Sequence, residues 1–236
     1  MSVRDTFVSF ASHELNTPLT TILGYSELLL GRENVDPSTK RSLHRIHDSG
    51  KRIAGMVEDL LNVTRIQSGR IGLKLEAVRL DEIIEEKLSM AKETSSRHEF
   101  VLDGGDTAAP AVVDRDKFGQ IIWNLISNAI KYSPNGGLVS VSILEDRKRG
   151  RVIAGVSDQG MGIAGEDKDS LFTTFHRIKR PETVGIRGSG LGLYIVKEWT
   201  EAMGGEVWLE SELNKGSTFF VAVPAAREQK DEQTPI

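Results

Sequence analysis

The sequence predicts an α+β protein: an N-terminal antiparallel helical hairpin followed by an α/β sandwich. Three observations lead there. Apolar residues recur at helical spacing through the first 67 positions, they alternate in short runs beyond about residue 75, and turn-rich segments separate the runs.

From Asp5 to Leu30, at about 100° per residue, Phe7, Ala11, Leu15, Pro18, Ile22 and Leu29 gather on one face. His13 falls about 180° from the centre of that stripe, and Thr17 within about 40° of His13. The helix is therefore expected to bury one side and to offer His13 and Thr17 to solvent. Gly31 ends it and the NVDPS segment turns the chain. Asp36 or Ser38 can cap the next helix, along which Leu43, Ile46, Gly50, Ile53, Val57, Leu60 and Thr64 form a heptad seam. One hairpin cannot cover both its faces, so pairing with a second copy into a four-helix bundle is expected. Residues 1–67 read as this dimerisation module and 68–76 as a linker.

Residues 77–226 change period. Helical patterns cover Leu80–Lys92, Asp116–Tyr132 and Leu191–Met203, and strand-like runs cover Glu99–Leu102, Leu138–Leu144, Arg151–Ser157, Glu206–Ser211 and Thr218–Val223. The expectation is helices and antiparallel strands in one sandwich. Residues 227–236 are polar and read as a flexible tail.

Composition narrows the chemistry. Thirty Lys+Arg against thirty-four Asp+Glu give a net charge of −4 in 236 residues, a balance that does not point to nucleic acid. There is no cysteine, which excludes thiolate catalysis and cysteine-based zinc sites. No apolar run reaches the roughly 18 residues a bilayer demands, so the chain is expected to be a cytoplasmic portion. Its first helical pattern begins almost at Met1, which suggests a piece of a longer protein with a sensing region upstream.

Two groups of residues carry chemistry. In HELNTPL (13–19), His13 can present an unprotonated ring nitrogen to a phosphorus atom, with Glu14 beside it as base or orienting group. Pro18, one turn on, lacks an amide proton and loosens the helix there. The second group is spread over some 70 residues. Asn124 and Asn128 sit four apart on one helix, where neutral amide oxygens suit Mg²⁺ shared with phosphates, and Lys131 and Tyr132 follow on the next turn. Asp158, at a strand end, can accept a hydrogen bond from an adenine amino group, while Gly160 and Gly162 let the backbone approach. Finally Gly188, Gly190, Leu191 and Gly192 run into a helix whose N-terminal amides face outward, as phosphate requires.

In this order the pieces resemble the catalytic core of a sensor histidine kinase, from about Thr6 to about Pro224. HELNTPL is similar to the acceptor box, with Asn16 where the family usually has Arg. NLISNAIKYS resembles the asparagine box, DQGMGI and GSGLGL the glycine boxes, and LFTTFHRI the phenylalanine box. The resemblance implies the ATP-binding fold of the gyrase, Hsp90, histidine kinase and MutL superfamily. It implies Mg²⁺ held by Asn128, adenine read by Asp158, and Arg177 reaching the γ-phosphate from the base of a lid at about Lys179–Ser189. It further implies phosphorylation of His13 by ATP, transfer to an aspartate of a response regulator, and phosphatase activity through Thr17. The alternatives are a related ATPase that switches conformation without a phosphohistidine, and a phosphatase-biased or scaffolding regulator.

Overall fold

The computed structural model describes residues 3–69, 71–105, 109–178, 180–183, 186 and 188–226, with side chains at all of these except 3–14, 16 and 182. The expected tail at 227–236 lies outside the described residues. The chain forms two compact units that divide between Ile71 and Gly72.

The first unit is a hairpin of α1 (Val3–Leu30) and α2 (Pro37–Gln67). Asp36 starts α2: its carboxylate accepts the amides of Ser38 and Thr39, each at 3.0 Å, and Pro37 occupies the first turn. These hydrogen bonds hold the Asp36 carboxyl well below the usual carboxylate range. The helices run antiparallel, since Ser26 pairs with His47 (Oγ to Nδ1, 3.0 Å) and Leu23 with Gly50. A Cβ on Gly50 would lie 2.8 Å from Leu23 Cδ2, so the missing side chain sets how closely the helices approach.

The expected heptad seam divides in two. Leu43, Gly50 and Val57 are buried on the stripe turned to α1, whereas Ile46, Ile53 and Leu60 are exposed. On α1 the expected apolar face is corrected. Leu19 and Ser26 are buried, but Leu15 and Ile22 are 50% and 48% exposed and Pro18 is exposed as well. A helix in a hairpin has one neighbour, so a second apolar stripe has nothing to cover it within a single chain. Thr17 is exposed, as expected. Phe7 and Ala11 belong to the side chains outside the description.

The second unit is a two-layer sandwich. Its elements are β1 (Glu76–Val78), α3 (Leu80–Thr94), β2 (His98–Gly104), β3 (Ala111–Val113), α4 (Arg115–Tyr132), β4 (Gly137–Asp146), β5 (Arg151–Asp158), α5 (Gly192–Ala202), β6 (Glu206–Glu212) and β7 (Gly216–Pro224). The main sheet has the order β2-β4-β5-β7-β6. It is mixed rather than wholly antiparallel, because β2 pairs parallel to β4. The connection between those strands passes through α4, and a helical crossover returns the chain in the same direction. The short antiparallel pair β1–β3 has three residues per strand, too few for the alternation to be read in sequence.

α3, α4 and α5 bury Ile83, Phe118, Ile121, Leu125, Ile195 and Trp199 beneath one face of this sheet. α4 shows why: its apolar residues recur at Phe118, Ile121, Ile122, Leu125, Ile126 and Ala129, a single stripe all buried. Its Asp114 cap accepts the amides of Lys117 (3.0 Å) and Lys74 (2.9 Å). Asn124 and Asn128 lie at the edge of this stripe and are half-buried.

Candidate functional site

α4 is the wall on which the separated motifs meet. At its C-terminal end, the carbonyl of Tyr132 accepts the amide of Met161 at 3.1 Å, which seats the Asp158 loop on the helix end. Gly160 is needed there for space: a Cβ would lie 2.2 Å from the Tyr132 carbonyl oxygen and 2.8 Å from Asp158 Oδ1. The Gly160 amide donates to that same Oδ1 at 2.8 Å. About two helical turns towards the N-terminus, a Cβ on Gly192 at the start of α5 would lie 3.6 Å from Asn124 Oδ1.

Asp158 is buried at the end of β5. Burial pushes its carboxyl up from the ordinary value, and hydrogen bonds from the Gly160 and Ser217 amides oppose the rise. The carboxylate is thus held in place by backbone amides at the mouth of the loop. Tyr132 is half-buried, and burial pushes its phenol up while the positive charge of Arg177 pulls it back. It stays a protonated donor at neutral pH. Arg177 itself donates to the carbonyl of Ile186, which ties it to the segment expected to form the lid.

The glycine-rich turn before α5 packs against the phenylalanine-box segment. Gly190 has φ +74° and a Cβ there would lie 2.9 Å from the carbonyl carbon of Phe175, so only glycine fits. Phe172 meets Phe219 edge-on with centroids 6.5 Å apart, whereas Phe175 has φ 59° and is 65% exposed. Leu191 is buried and supplies no side-chain cap to α5, so the first amides of that helix are left to other partners. Gly188 has nothing within 4 Å of where a Cβ would stand.

Gly162 is set apart from the rest of the site. With φ +64° it turns against the backbone of Glu212, where a Cβ would lie 2.0 Å from the carbonyl oxygen, so it docks the loop on the β6–β7 turn. Asn128 is half-buried and Lys131 exposed, both on the face of α4 that carries Asn124. Of the lid, Lys179, Val184, Gly185 and Arg187 lie outside the described residues. His13, Glu14 and Thr17 are on α1 in the other unit; the side chains of His13, Glu14 and Asn16 lie outside the description.

Two contributors had no signal in the sequence. Gln159 Oε1 accepts the amide of Leu138 at 3.1 Å, fastening the Asp158 loop to the start of β4. His98, which has no motif around it, bonds to Ser95 and Ser133 at the end of α4. Both act through tertiary neighbours far away in sequence, which no local period records.

The site suits a magnesium nucleotide on the chemistry of its own groups. The side-chain nitrogen of Asn124 is buried with no hydrogen-bond partner among the described residues, so it calls for an acceptor. Asn128 adds a neutral amide oxygen, a hard ligand of the kind Mg²⁺ takes.

Known proteins agree with this arrangement. Residues 3–69 match the His Kinase A (phospho-acceptor) domain, and residues 113–227 match the family of histidine kinase-, DNA gyrase B-, and HSP90-like ATPases. The chain is 36% identical over 234 residues to the sensor histidine kinase WalK of Bacillus subtilis, a match that covers 97% of this chain and 38% of that protein. It is 32% identical over 224 residues to the sensor-like histidine kinase SenX3 of Mycolicibacterium smegmatis, covering 94% and 58%. The chain thus spans less than two thirds of these curated relatives. Among solved structures, full-length ShkA in complex with AMPPNP aligns with a TM-score of 0.75 at 27% identity, over 94% of this chain and 46% of that one. The mycobacterial sensor histidine kinase MprB aligns with a TM-score of 0.56 at 27% identity, over 66% and 100%. A phospho-acceptor domain followed by an ATPase domain of this kind is what defines the group: the chain belongs to the histidine kinases, as a catalytic core.

Proposed function

We propose that this core binds Mg-ATP along α4, phosphorylates its own His13, and passes the phosphoryl group to an aspartate of a response regulator. One observation carries the reading: Asn124, Tyr132, Asp158 and the Gly190–Gly192 turn, scattered through the sequence, assemble on one helix in a chain that also presents HELNTPL.

Asp158 would accept the adenine amino group on its carboxylate. Asn124, Lys131, Arg177 and the first amides of α5 would face the phosphates, where positive charge and aligned N–H groups offset the charge of the triphosphate. Asn128 would hold Mg²⁺. The ion, when bound, neutralises charge on the β- and γ-phosphate oxygens.

At His13 the unprotonated ring nitrogen attacks the γ-phosphorus. An N–P bond forms, the bond from phosphorus to the bridging oxygen breaks, and ADP leaves. Glu14 orients the ring and holds the proton on its other nitrogen. In the second transfer a carboxylate oxygen of the regulator attacks phosphorus and the N–P bond breaks. Thr17 lies one helical turn from His13 and is exposed, so its hydroxyl can orient water against a phosphorylated regulator, the phosphatase reaction. The exposed stripe of Leu15, Ile22, Ile46, Ile53 and Leu60 supports a homodimer through the hairpin. The expected domain limits (1–67, 68–76, 77–226) and a sensing region upstream belong to the same proposal.

The test is incubation with γ-labelled ATP, with and without Mg²⁺, beside His13→Gln. Metal-dependent label that is acid-labile, base-stable and absent from the variant is expected. Label retained by the variant would place the acceptor elsewhere.

A further inference from the structure

His98 opens β2 where the turn after α3 meets the end of α4. Its half-buried ring is bonded through both nitrogens. Nδ1 lies 2.7 Å from Ser95 Oγ, and Nε2 lies 3.0 Å from both the carbonyl oxygen and Oγ of Ser133. Ser133 is buried and closes α4. Its hydroxyl donates to the carbonyl of Ala129, one turn back.

The proton count fixes the arrangement. A serine hydroxyl has one proton, and that of Ser133 is used on Ala129, so towards His98 both Ser133 oxygens accept. Nε2 therefore carries a ring proton, shared between them, and Nδ1 pairs with the Ser95 hydroxyl. The helix needs such support. Its last carbonyls have no partners within the helix, and Ser133, at φ −120° and ψ 65°, does not form the left-handed cap that glycine gives elsewhere. His98 closes this helix together with loop amides, Gly136 donating to the Ser133 carbonyl at 2.9 Å and Met161 to that of Tyr132 at 3.1 Å.

The residue before Ser133 is Tyr132, whose carbonyl carries Met161 and with it the Asp158 loop. A continuous line of contacts thus runs from Ser95 through His98, Ser133 and Tyr132 to the loop that would read the base. We propose that His98 is a positioning residue for the nucleotide, fixing the last turn of α4 so that Lys131, Tyr132 and the Asp158 loop stand in register to receive ATP. The proposal rests on the reading of α4 as the wall of the nucleotide site.

The experiment is calorimetric titration of the chain with Mg-ATP, beside thermal unfolding, for the unchanged protein and for His98→Ala, His98→Asn and His98→Gln. The glutamine amide nitrogen reaches the place of Nε2 and can donate to Ser133; the shorter asparagine cannot. About tenfold weaker binding is expected for His98→Ala and His98→Asn, with His98→Gln within about threefold of the unchanged chain, the scale of one lost buried hydrogen bond. If His98→Ala does not fold, the Asn–Gln pair still decides the matter, since the two are alike in polarity and differ in reach. Equal affinities across the series would overturn the proposal. An unchanged chain that does not bind Mg-ATP would overturn the reading of the site on which it rests.

Discussion

The carbonyl of Tyr132 and the amide of Met161 are joined at 3.1 Å, so the end of α4 and the loop after β5 form one surface. Gly160 lies between them, and its hydrogen is all the space allows, a Cβ being 2.2 Å from the Tyr132 oxygen.

Gly160→Ala must therefore part the loop from the helix, because a backbone carbonyl cannot swing aside as a side chain can. Overpacking of this kind costs about 1–3 kcal/mol, and ATP affinity should fall by more than about tenfold. Gly165→Ala is the matched control, since a Cβ there meets nothing within 4 Å. Denaturant unfolding and nucleotide titration of the two variants check the contrast.

Asp158→Asn separates stability from recognition. Burial raises the Asp158 carboxyl, so the folded protein holds that proton more readily than the unfolded chain does. Its contribution to folding is fully present below the ordinary carboxylate value and is lost as pH rises through the raised one. The amide still accepts from Gly160 but turns a donor towards the adenine amino group. Expected at pH 7 is a Tm equal to or above that of the unchanged chain, with ATP affinity down by more than about tenfold. A lowered Tm with full affinity would contradict the assignment.

In the hairpin, Gly50→Val should loosen α1 from α2, its Cβ alone meeting Leu23 Cδ2 at 2.8 Å. A loss of about 1–3 kcal/mol is expected. Gly55→Val, at a position with nothing within 4 Å, should be neutral or slightly stabilising, since valine is the better helix former. Thermal unfolding followed by far-ultraviolet circular dichroism distinguishes them.

Ile53→Glu, at a residue 46% exposed in the single chain, places a charge on the stripe assigned to the second copy. Sedimentation should give a monomer mass for this variant and twice that for the unchanged chain. Equal masses would remove the stripe from the dimer contact.

Much of this architecture was legible in the sequence. The buried stripe of α4 is legible from Ile121, Ile122, Leu125, Ile126 and Ala129. The runs over Leu138–Leu144 and Arg151–Ser157 mark strands that the structure extends to Gly137–Asp146 and Arg151–Asp158. What stayed hidden depends on tertiary partners. Periodicity placed Leu15 and Ile22 on an apolar face but not the direction in which it looks, which is away from α2. Alternation in β2 cannot reveal that its neighbour β4 runs parallel. His98 has no pattern around it, and its meaning comes from Ser133, thirty-five residues on. Gly160 was legible as a loop glycine, whereas the carbonyl that demands it was not.

The most direct measurement is mapping of the phosphorylated residue after incubation with Mg-ATP, in the unchanged chain and in Asn128→Ala. Phosphate on the peptide containing His13, present in the first and lost from the second, is the predicted result and joins the two units in one reaction. Phosphate on another residue, or undiminished phosphate on His13 in Asn128→Ala, would contradict it.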